Sequence, residues 1–293
     1  MQFLNSVSGK AWMVAAGAAA WVCTGLISPG PARAQSLDGL LTNVTDTMSD
    51  VTDVLLPGVT NIRIGLGPVI SPAYQGSDDY KVRAAPVISF RYRDLVQVDN
   101  NRVRVNVFGR DSIFQSENFK AGPLLRLDFG RDETDSPDLA GLGNVGTSLE
   151  LGLFASYTAG PARARVRFRQ DVLSGHKGMT VIGDLSVAIY RDDKLTITST
   201  GQMTWANNKY MDSYFTVNAA QALASGLAAF DAGSGLKDIG ISLGANYFIS
   251  DQWSLLGSAG YEKILSDAKD SPIVSVQGSS NQFTAGVFAI YTF

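Results

Sequence analysis

From residue 59 to the C-terminus, apolar side chains alternate with polar or small ones at a period of two. The pattern is clearest in the last segment, whose alternating apolar positions are Phe283, Ala285, Val287, Ala289 and Tyr291. The chain then ends on Phe293. Successive side chains of a β-strand point to opposite faces, so this period predicts strands with one apolar face. A closing strand with a terminal aromatic residue is typical of an outer-membrane β-barrel.

Twelve segments with this alternation follow one another along the chain. They cover approximately 59–67, 82–91, 95–98, 103–108, 120–130, 146–157, 161–171, 180–191, 194–206, 236–249, 252–264 and 281–293. The connections alternate between short and long, and in outer-membrane barrels the short turns face the periplasm. The sequence therefore predicts an all-β fold, a transmembrane antiparallel up-and-down β-barrel of 12 strands with periplasmic N- and C-termini. The alternative is a barrel of 10 strands, if the short segments 95–98 and 103–108 do not span the membrane.

Pro86 lies inside the second of these segments. A proline has no backbone N–H and cannot donate a hydrogen bond to a neighbouring strand. Because a closed barrel has no free strand edge, we expect Pro86 at a bulge or at the rim.

Aromatic residues recur near the ends of the segments, on the apolar parity. They are Phe90, Phe129, Tyr157, Tyr247, Trp253, Tyr261 and Tyr291. Barrels carry aromatic girdles at both membrane interfaces, whereas a soluble β-sandwich does not need them. We expect Tyr291 and Phe293 to form the C-terminal signal that the barrel-assembly machinery recognises.

The first 58 residues do not share the alternation. Residues 11–27 form an apolar run after Lys10, and Ala32-Arg33-Ala34 has the small-x-small pattern of a signal-peptide cleavage site. We expect a signal peptide over residues 1–34. Residues 35–58 carry apolar residues at helical spacing among aspartates, which predicts a periplasmic N-terminal segment, either loosely ordered or an amphipathic plug or partner-docking helix. Residues 59–293 form the predicted barrel domain.

The composition agrees with export to the outer membrane of a Gram-negative cell. The chain has a net charge of −3, which argues against nucleic-acid binding. Its one cysteine, Cys23, lies within the predicted signal peptide, so we expect no disulfide in the exported protein. No later apolar run is long enough for a transmembrane helix.

The strand positions between the outward-facing apolar ones are predicted to face the lumen. On the segment 161–171 these positions hold Arg163, Arg165, Arg167 and Arg169, and on other segments they hold Arg126, Asp128, Glu150 and Asp184. An arginine facing the bilayer midplane costs about 2–4 kcal/mol, so these side chains are expected to line the interior. Two interpretations remain open: an ion-pair network that fills the lumen, or an anion-preferring pore.

Catalytic and metal chemistry find little support in the sequence. The one histidine, His176, lies in a predicted extracellular loop, and Ser174, two residues away, is poorly placed for a Ser–His pair. With one histidine and no cysteine after the signal peptide, a zinc site is not expected. We predict no enzyme activity, no catalytic residues, no metal and no cofactor. The long connection 207–235, with a short helix expected around residues 219–224, has no assigned role.

Several stretches resemble the MipA/OmpV family, the outer-membrane proteins named for the MltA-interacting protein. The matching stretches are residues 72–80, 149–157, 169–171, 210–215, 221–227, 231–233 and 253–257. The resemblance covers about residues 59–293 and does not extend to residues 35–58.

The resemblance implies an outer-membrane barrel and, for the best-known members, a scaffold that tethers a lytic transglycosylase to a murein synthase. The expected function is therefore a non-enzymatic scaffold that links the outer membrane to murein-processing enzymes. The alternative is an anion-preferring pore or small-solute channel with an arginine-lined lumen. The expected surroundings are outer-membrane lipid and lipopolysaccharide, and no nucleic acid is expected as a partner.

Overall fold

The computed structural model describes residues 60–293, and the predicted signal peptide (1–34), Cys23 and the segment 35–58 lie outside this range. The described chain is built mainly from β-strands. They are β1 (Asn61–Pro72), β2 (Tyr80–Tyr92), β3 (Val96–Asp99), β4 (Arg102–Val105), β5 (Phe108–Gly109), β6 (Phe114–Gln115), β7 (Phe119–Asp128), β8 (Ser148–Ala159), β9 (Ala162–Asp171), β10 (Met179–Arg191), β11 (Leu195–Ala206), β12 (Gly235–Phe248), β13 (Trp253–Ile264) and β14 (Asn281–Thr292).

Twelve of these strands pair antiparallel with their sequence neighbours and close into a barrel. The first and last strands meet, with Ile64 of β1 opposite Tyr291 of β14. The ring is completed where β4 pairs with β7, with Arg102 opposite Arg126. The prediction of a 12-strand antiparallel barrel is therefore confirmed, and the short pair β3 and β4 belongs to the wall.

The two faces of each strand follow the alternation of the sequence. On β1, Asn61 and Arg63 are buried, whereas Ile62 and Ile64 between them are exposed. Large apolar residues remain exposed all around the outside, among them Leu66, Leu153, Leu185, Leu243 and Val287. An apolar exterior around a closed barrel matches a lipid environment.

The barrel wall is incomplete above the hairpin formed by β3 and β4. Only residues 89–92 of β2 pair with β3, so residues 80–87 have β1 on one side and no strand on the other. At the tip of the hairpin, the Ile88 carbonyl accepts the Asn100 N–H, and the Ile88 N–H donates to Asn100 Oδ1. Because backbone directions alternate along a strand, Pro86 faces the same open side.

This gap corrects our expectation for Pro86. The residue lies neither at a bulge nor at the rim but inside β2, with Leu66 of β1 opposite it. Its missing N–H falls on the unpaired edge, so no ladder hydrogen bond is lost. A proline at such an edge also discourages the addition of a foreign strand.

A cap of five connections closes the end of the barrel at which the long loops emerge; it comprises residues 73–79, 129–147, 172–178, 207–234 and 265–280. It contains the helices α1 (Asn208–Phe215), α2 (Ala219–Ser225), α3 (Ser266–Asp270) and α4 (Pro272–Ser275), and two short 3-10 helices, Glu133–Asp135 and Pro137–Leu139. Helix α2 confirms the short helix expected around residues 219–224. None of the helices within residues 60–293 is long and apolar enough to cross a membrane.

The cap has its own apolar core, which explains how loops form an ordered layer. Met211 and Phe215 of α1 pack with Ile264, Ala268 and Val274. A second cluster joins the other connections and contains Tyr74, Leu139, Leu142, Val217 and Ile273. Side chains fix the helix starts: Asn207 caps α1, and Asn218 forms a capping box with Gln221 at α2.

The lumen also holds an apolar cluster below the cap. It consists of Val69, Ala85, Val87, Leu256, Phe288 and Ile290, from β1, β2, β13 and β14. Glycines opposite this cluster make room for it, since a Cβ on Gly65 would lie 2.3 Å from Ile290 Cδ1. Many of the buried charged residues, among them Arg126, Glu150, Arg165, Arg167 and Asp184, come from β7 to β10.

Candidate functional site

The arginines of β9 lie inside the barrel, and their partners come from neighbouring strands. Arg165 Nε binds Asp184 Oδ2 at 3.0 Å, and Arg167 Nη2 binds Asp184 Oδ1 at 2.5 Å. Arg163 Nε donates to Thr158 Oγ1 at 3.3 Å. All three side chains are buried. A carboxylate shared by two guanidinium groups is a structural ion-pair arrangement.

Glu150 of β8 is the centre of a second network. Arg126 Nη1 binds Glu150 Oε2 at 2.5 Å and Asp128 Oδ2 at 3.0 Å. Arg169 Nη1 reaches the same Glu150 oxygen at 3.1 Å. The predicted lumen residues Arg126, Asp128, Glu150 and Arg169 of β7, β8 and β9 are thus brought together in one buried network, whose partners the sequence parity did not name.

His176 joins this network from the loop 172–178. Its Nε2 lies 3.2 Å from Glu150 Oε1, and its Nδ1 accepts the backbone N–H of Gly178 at 2.9 Å. Since Nδ1 accepts a hydrogen bond, the ring N–H lies at Nε2, and this N–H donates a hydrogen bond to Glu150. Among the described residues, no serine hydroxyl contacts either ring nitrogen, so the arrangement does not provide a nucleophile and its base.

Three potential ligand atoms of Asp128, Glu150 and His176 lie within 4.8 Å of one another, and all three residues are buried. Each group already has a protein partner: Arg126 binds both carboxylates, and the histidine ring uses both nitrogens. The chemistry of this set is that of an internal hydrogen-bond network that ties loop 172–178 to the barrel wall.

A group of charged residues that the sequence did not reveal lies on β12 and β13. The register shifts between Thr204, which faces Asp238, and Trp205, which faces Leu236, so Lys237 is the extra residue of a β-bulge. The bulge buries Lys237 and Asp238 together, although consecutive strand residues normally face opposite sides. Lys237 Nζ binds Asp238, and strict alternation gave no signal for this pair.

Glu262 of β13 completes this second charged wall. Its Oε1 accepts a hydrogen bond of 3.4 Å from Gln75 Nε2, at the end of β1. Lys237 Nζ also lies 6.0 Å from the centre of the Tyr210 ring in the cap. The charges of β12 and β13 therefore face the arginines of β7 to β9 across the lumen.

A cavity of about 140 Å³ separates these two charged walls below the cap. Its lining includes Arg126, Arg167 and Arg169 on one side and Lys237, Asp238 and Glu262 on the other. Gln202, Thr204 and Tyr210 add polar groups between them. The volume holds several water molecules or one small organic solute.

The cap above the cavity contains buried tyrosines that stay neutral, and Tyr210 lines the cavity. Burial raises the pKa of Tyr210 to about 12 and the pKa of Tyr214 well above its ordinary value. Burial likewise raises the pKa of Tyr74, whose hydroxyl donates to the Gln277 carbonyl at 3.0 Å. Arg131 Nη1 binds the Tyr214 carbonyl at 2.8 Å and fixes the loop 129–147 onto α1.

The opposite end of the lumen is rich in arginine. Arg63, Arg91 and Arg104 are all buried there, and Arg104 Nη2 binds Asp99 Oδ2 at 3.0 Å. At the end of β14, Tyr291 packs against Trp253 and Phe293, with ring centres 5.1 and 4.8 Å apart. These aromatic rings lie outside the barrel, where an interfacial girdle is expected.

A flap between β4 and β7, residues 106–118, projects from the same end as the chain terminus. Asp94 holds it in place: its Oδ2 accepts the Arg110 N–H at 2.9 Å, and its Oδ1 binds Lys120 Nζ at 2.5 Å. The flap exposes Ile113 and Phe114, at 74% and 54% of their surface. The sequence predicted one strand over 103–108 and missed this flap.

A closed 12-strand barrel with an apolar exterior and a charged, capped lumen defines the chain as an outer-membrane β-barrel protein. Residues 64–293 match the sequence profile of the family described as "MltA-interacting protein MipA". The chain therefore belongs to this family, and the resemblance seen in the sequence is confirmed.

Two relatives are named outer-membrane proteins. The chain is 25% identical over 162 residues to outer membrane protein Omp26La of Vibrio anguillarum, and 26% identical over 168 residues to outer membrane protein OmpV of Vibrio cholerae. Each match covers 55% of this chain and 61% of the relative, so the chain spans about three fifths of these proteins. The protein belongs to the outer membrane, as the alternation of its sequence predicted.

Among solved structures, the chain is similar to a bacterial polysaccharide outer membrane secretin. The TM-score is 0.40 and the identity 10%, over 81% of this chain and 99% of the other. Because this TM-score is low, the assignment of the fold rests on the strand pairing within the chain itself.

Proposed function

We propose that this protein is a non-enzymatic scaffold that links the outer membrane to murein-processing enzymes. The family description names an interaction with MltA, and the resemblance seen in the sequence implies a scaffold that tethers a lytic transglycosylase to a murein synthase. A scaffold needs a stable membrane anchor and a presented surface, but it needs no open channel. The filled and capped lumen is the observation that supports this function best.

The lumen residues fit an anchor better than an anion-preferring pore. Arg165 and Arg167 bind Asp184 and Arg169 binds Glu150, so each of these three guanidinium groups has a carboxylate partner within the wall. Packing at both ends of the cavity supports this choice, because the cap has an apolar core of its own and a second apolar cluster lies in the lumen below the cap. Ion-pair networks of this kind make a narrow barrel rigid, and we assign that role to Arg163, Arg165, Arg167 and Arg169.

We place the docking surface at the end of the short turns, which in outer-membrane barrels faces the periplasm. The flap 106–118 is the largest connection at that end and exposes Ile113 and Phe114. Asp94 fixes the flap against the turn between β2 and β3. A preformed apolar surface binds a folded partner without first paying the entropy of ordering a loop.

The test is capture of a purified lytic transglycosylase of the MltA class by the detergent-solubilised full-length mature barrel. The variant Ile113→Glu/Phe114→Glu places charges on the flap and is expected to lower capture by about tenfold or more, because buried apolar anchors dominate interfaces. Leu223→Glu is the matched control, since Leu223 is 90% exposed on α2 at the opposite end. Loss of capture in the Leu223 variant alone, or no capture by the unaltered protein, would contradict the proposal.

A further inference from the structure

The lumen cavity combines opposite charges in a way that a purely structural network does not require. On the β7–β9 wall, the residues that line it are Arg126, Arg167 and Arg169 with Asp128 and Glu150, which gives an excess of one positive charge. On the β12–β13 wall, Lys237 stands beside Asp238 and Glu262, so the formal charges of the lining side chains give an excess of one negative charge. The cavity is therefore neutral overall but polarised across its width.

Each wall also offers a buried polar atom that the described residues leave without a hydrogen bond. On one side this atom is Arg169 Nε, and on the other it is Asp238 Oδ1. Asp238 is only 1% exposed, and its ion-pair partner is the adjacent Lys237. Buried polar atoms without partners are rare in proteins and mark places where another polar group belongs.

The β-bulge at Lys237 also supports a ligand-binding site in this cavity. Without the extra residue, the side chain of Lys237 would face the membrane and Asp238 alone would face the lumen. Bulges often re-aim side chains next to binding and catalytic sites. Here the bulge places an ammonium group against the Asp238 carboxylate, 6.0 Å from the centre of the Tyr210 ring.

We propose that this cavity binds a small zwitterion of the amino-acid class. The ligand carboxylate faces Arg169, and the ligand ammonium faces Asp238 and Glu262. A lone anion or cation would leave the excess charge of one wall uncompensated, whereas a zwitterion matches both walls at once. The volume of about 140 Å³ suits a molecule of few heavy atoms, since a cavity of about 150 Å³ holds benzene in another protein.

The incomplete wall beside β2 borders this site. Arg126 and Asp128 line the cavity and lie at the end of β7. This end of β7 adjoins the tip of the β3–β4 hairpin, because the Leu127 N–H donates to the Asn101 carbonyl. On the other side of the gap, Lys81 Nζ donates to the Asp135 carbonyl of the cap. The break in the wall therefore lies next to the β7 side of the cavity.

The test is isothermal titration calorimetry of the refolded mature protein with glycine and β-alanine. Acetate and methylammonium, which each carry one of the two charges, are the matched probes. We expect at least one zwitterion to bind at millimolar or lower concentration, and each single-charge probe to bind about tenfold more weakly or less. Glu262→Gln and Arg169→Gln should each weaken zwitterion binding by about tenfold or more.

Asp192→Asn, in the exposed turn between β10 and β11, is the control variant and should bind as the unaltered protein does. If Glu262→Gln does not refold to a heat-modifiable barrel, Asp238→Asn replaces it on the same wall. Equal binding of acetate and glycine, unchanged binding in both wall variants, or no heat from either zwitterion would overturn the proposal. This outcome is independent of transglycosylase capture, which involves the opposite end of the barrel.

Discussion

At the scale of single residues, Glu150 is the group on which most lumen contacts depend. It accepts from Arg126, Arg169 and His176, and its side chain is 1% exposed. Replacing it therefore leaves two guanidinium groups and a ring N–H without their shared acceptor charge. Breaking a buried ion pair from one side usually costs about 3–5 kcal/mol.

We predict that Glu150→Gln lowers the free energy of unfolding by about that amount, about 3–5 kcal/mol. Urea unfolding, followed by the gel shift between folded and heat-denatured barrel, measures it. Asp192→Asn removes an acid from an exposed turn and should change the midpoint little. Equal midpoints for both variants would show that the Glu150 network contributes nothing to stability.

Parity in the sequence was enough to place the lumen charges but not to pair them. Arg165 and Asp184 face each other because β9 and β10 adopt one particular register, which alternation alone does not specify. Lys237 could not be predicted at all, since a bulge breaks the period on which the prediction rests. His176 gave no signal either, because its partner Glu150 lies 26 residues away in the chain.

At the scale of elements, β2 differs from the other long strands because half of it has a single neighbour. Its upper residues, 80–87, pair only with β1, and Pro86 lies on the open side. Backbone groups on alternate residues therefore have different environments. The N–H of Ala85 points toward Gly67 on β1, whereas position 86 points into the gap.

This difference predicts opposite effects of proline at adjacent positions. Pro86→Ala restores an N–H that faces the gap and should change the unfolding midpoint little. Ala85→Pro removes a ladder hydrogen bond inside the membrane, which costs several kcal/mol, and should lower the yield of folded barrel sharply. Refolding yield in detergent, read from the gel shift, compares the two. Similar yields for both variants would mean that β2 has no free edge.

Strand count followed from the sequence because alternation and short turns are local signals. The segments 95–98 and 103–108 were the uncertain pair, and they proved to be the short hairpin that leaves the gap. Helix α1, the 3-10 helices and the flap 106–118 were not predicted. They are held by contacts between distant loops, such as Arg131 with Tyr214, which no local pattern encodes.

At the scale of the whole molecule, the protein is a barrel whose interior has three successive regions. The cap packs at one end, charged walls and a small cavity follow, and arginines with an apolar cluster fill the rest of the lumen. The apolar exterior anchors this body in the outer membrane. Under the proposed scaffold function, the regions of the molecule that matter are its surfaces and the cavity below the cap.

The measurement that tests this account most directly is planar-bilayer conductance of the refolded mature protein, with a porin reconstituted in parallel as the positive control. The folded, heat-modifiable barrel should give no steady conductance steps, and the double variant Arg165→Gln/Arg167→Gln should give no anion-selective current either. Steady anion-selective steps from the unaltered protein, changed in the double variant, would contradict the closed lumen. They would identify the arginines as the lining of a pore.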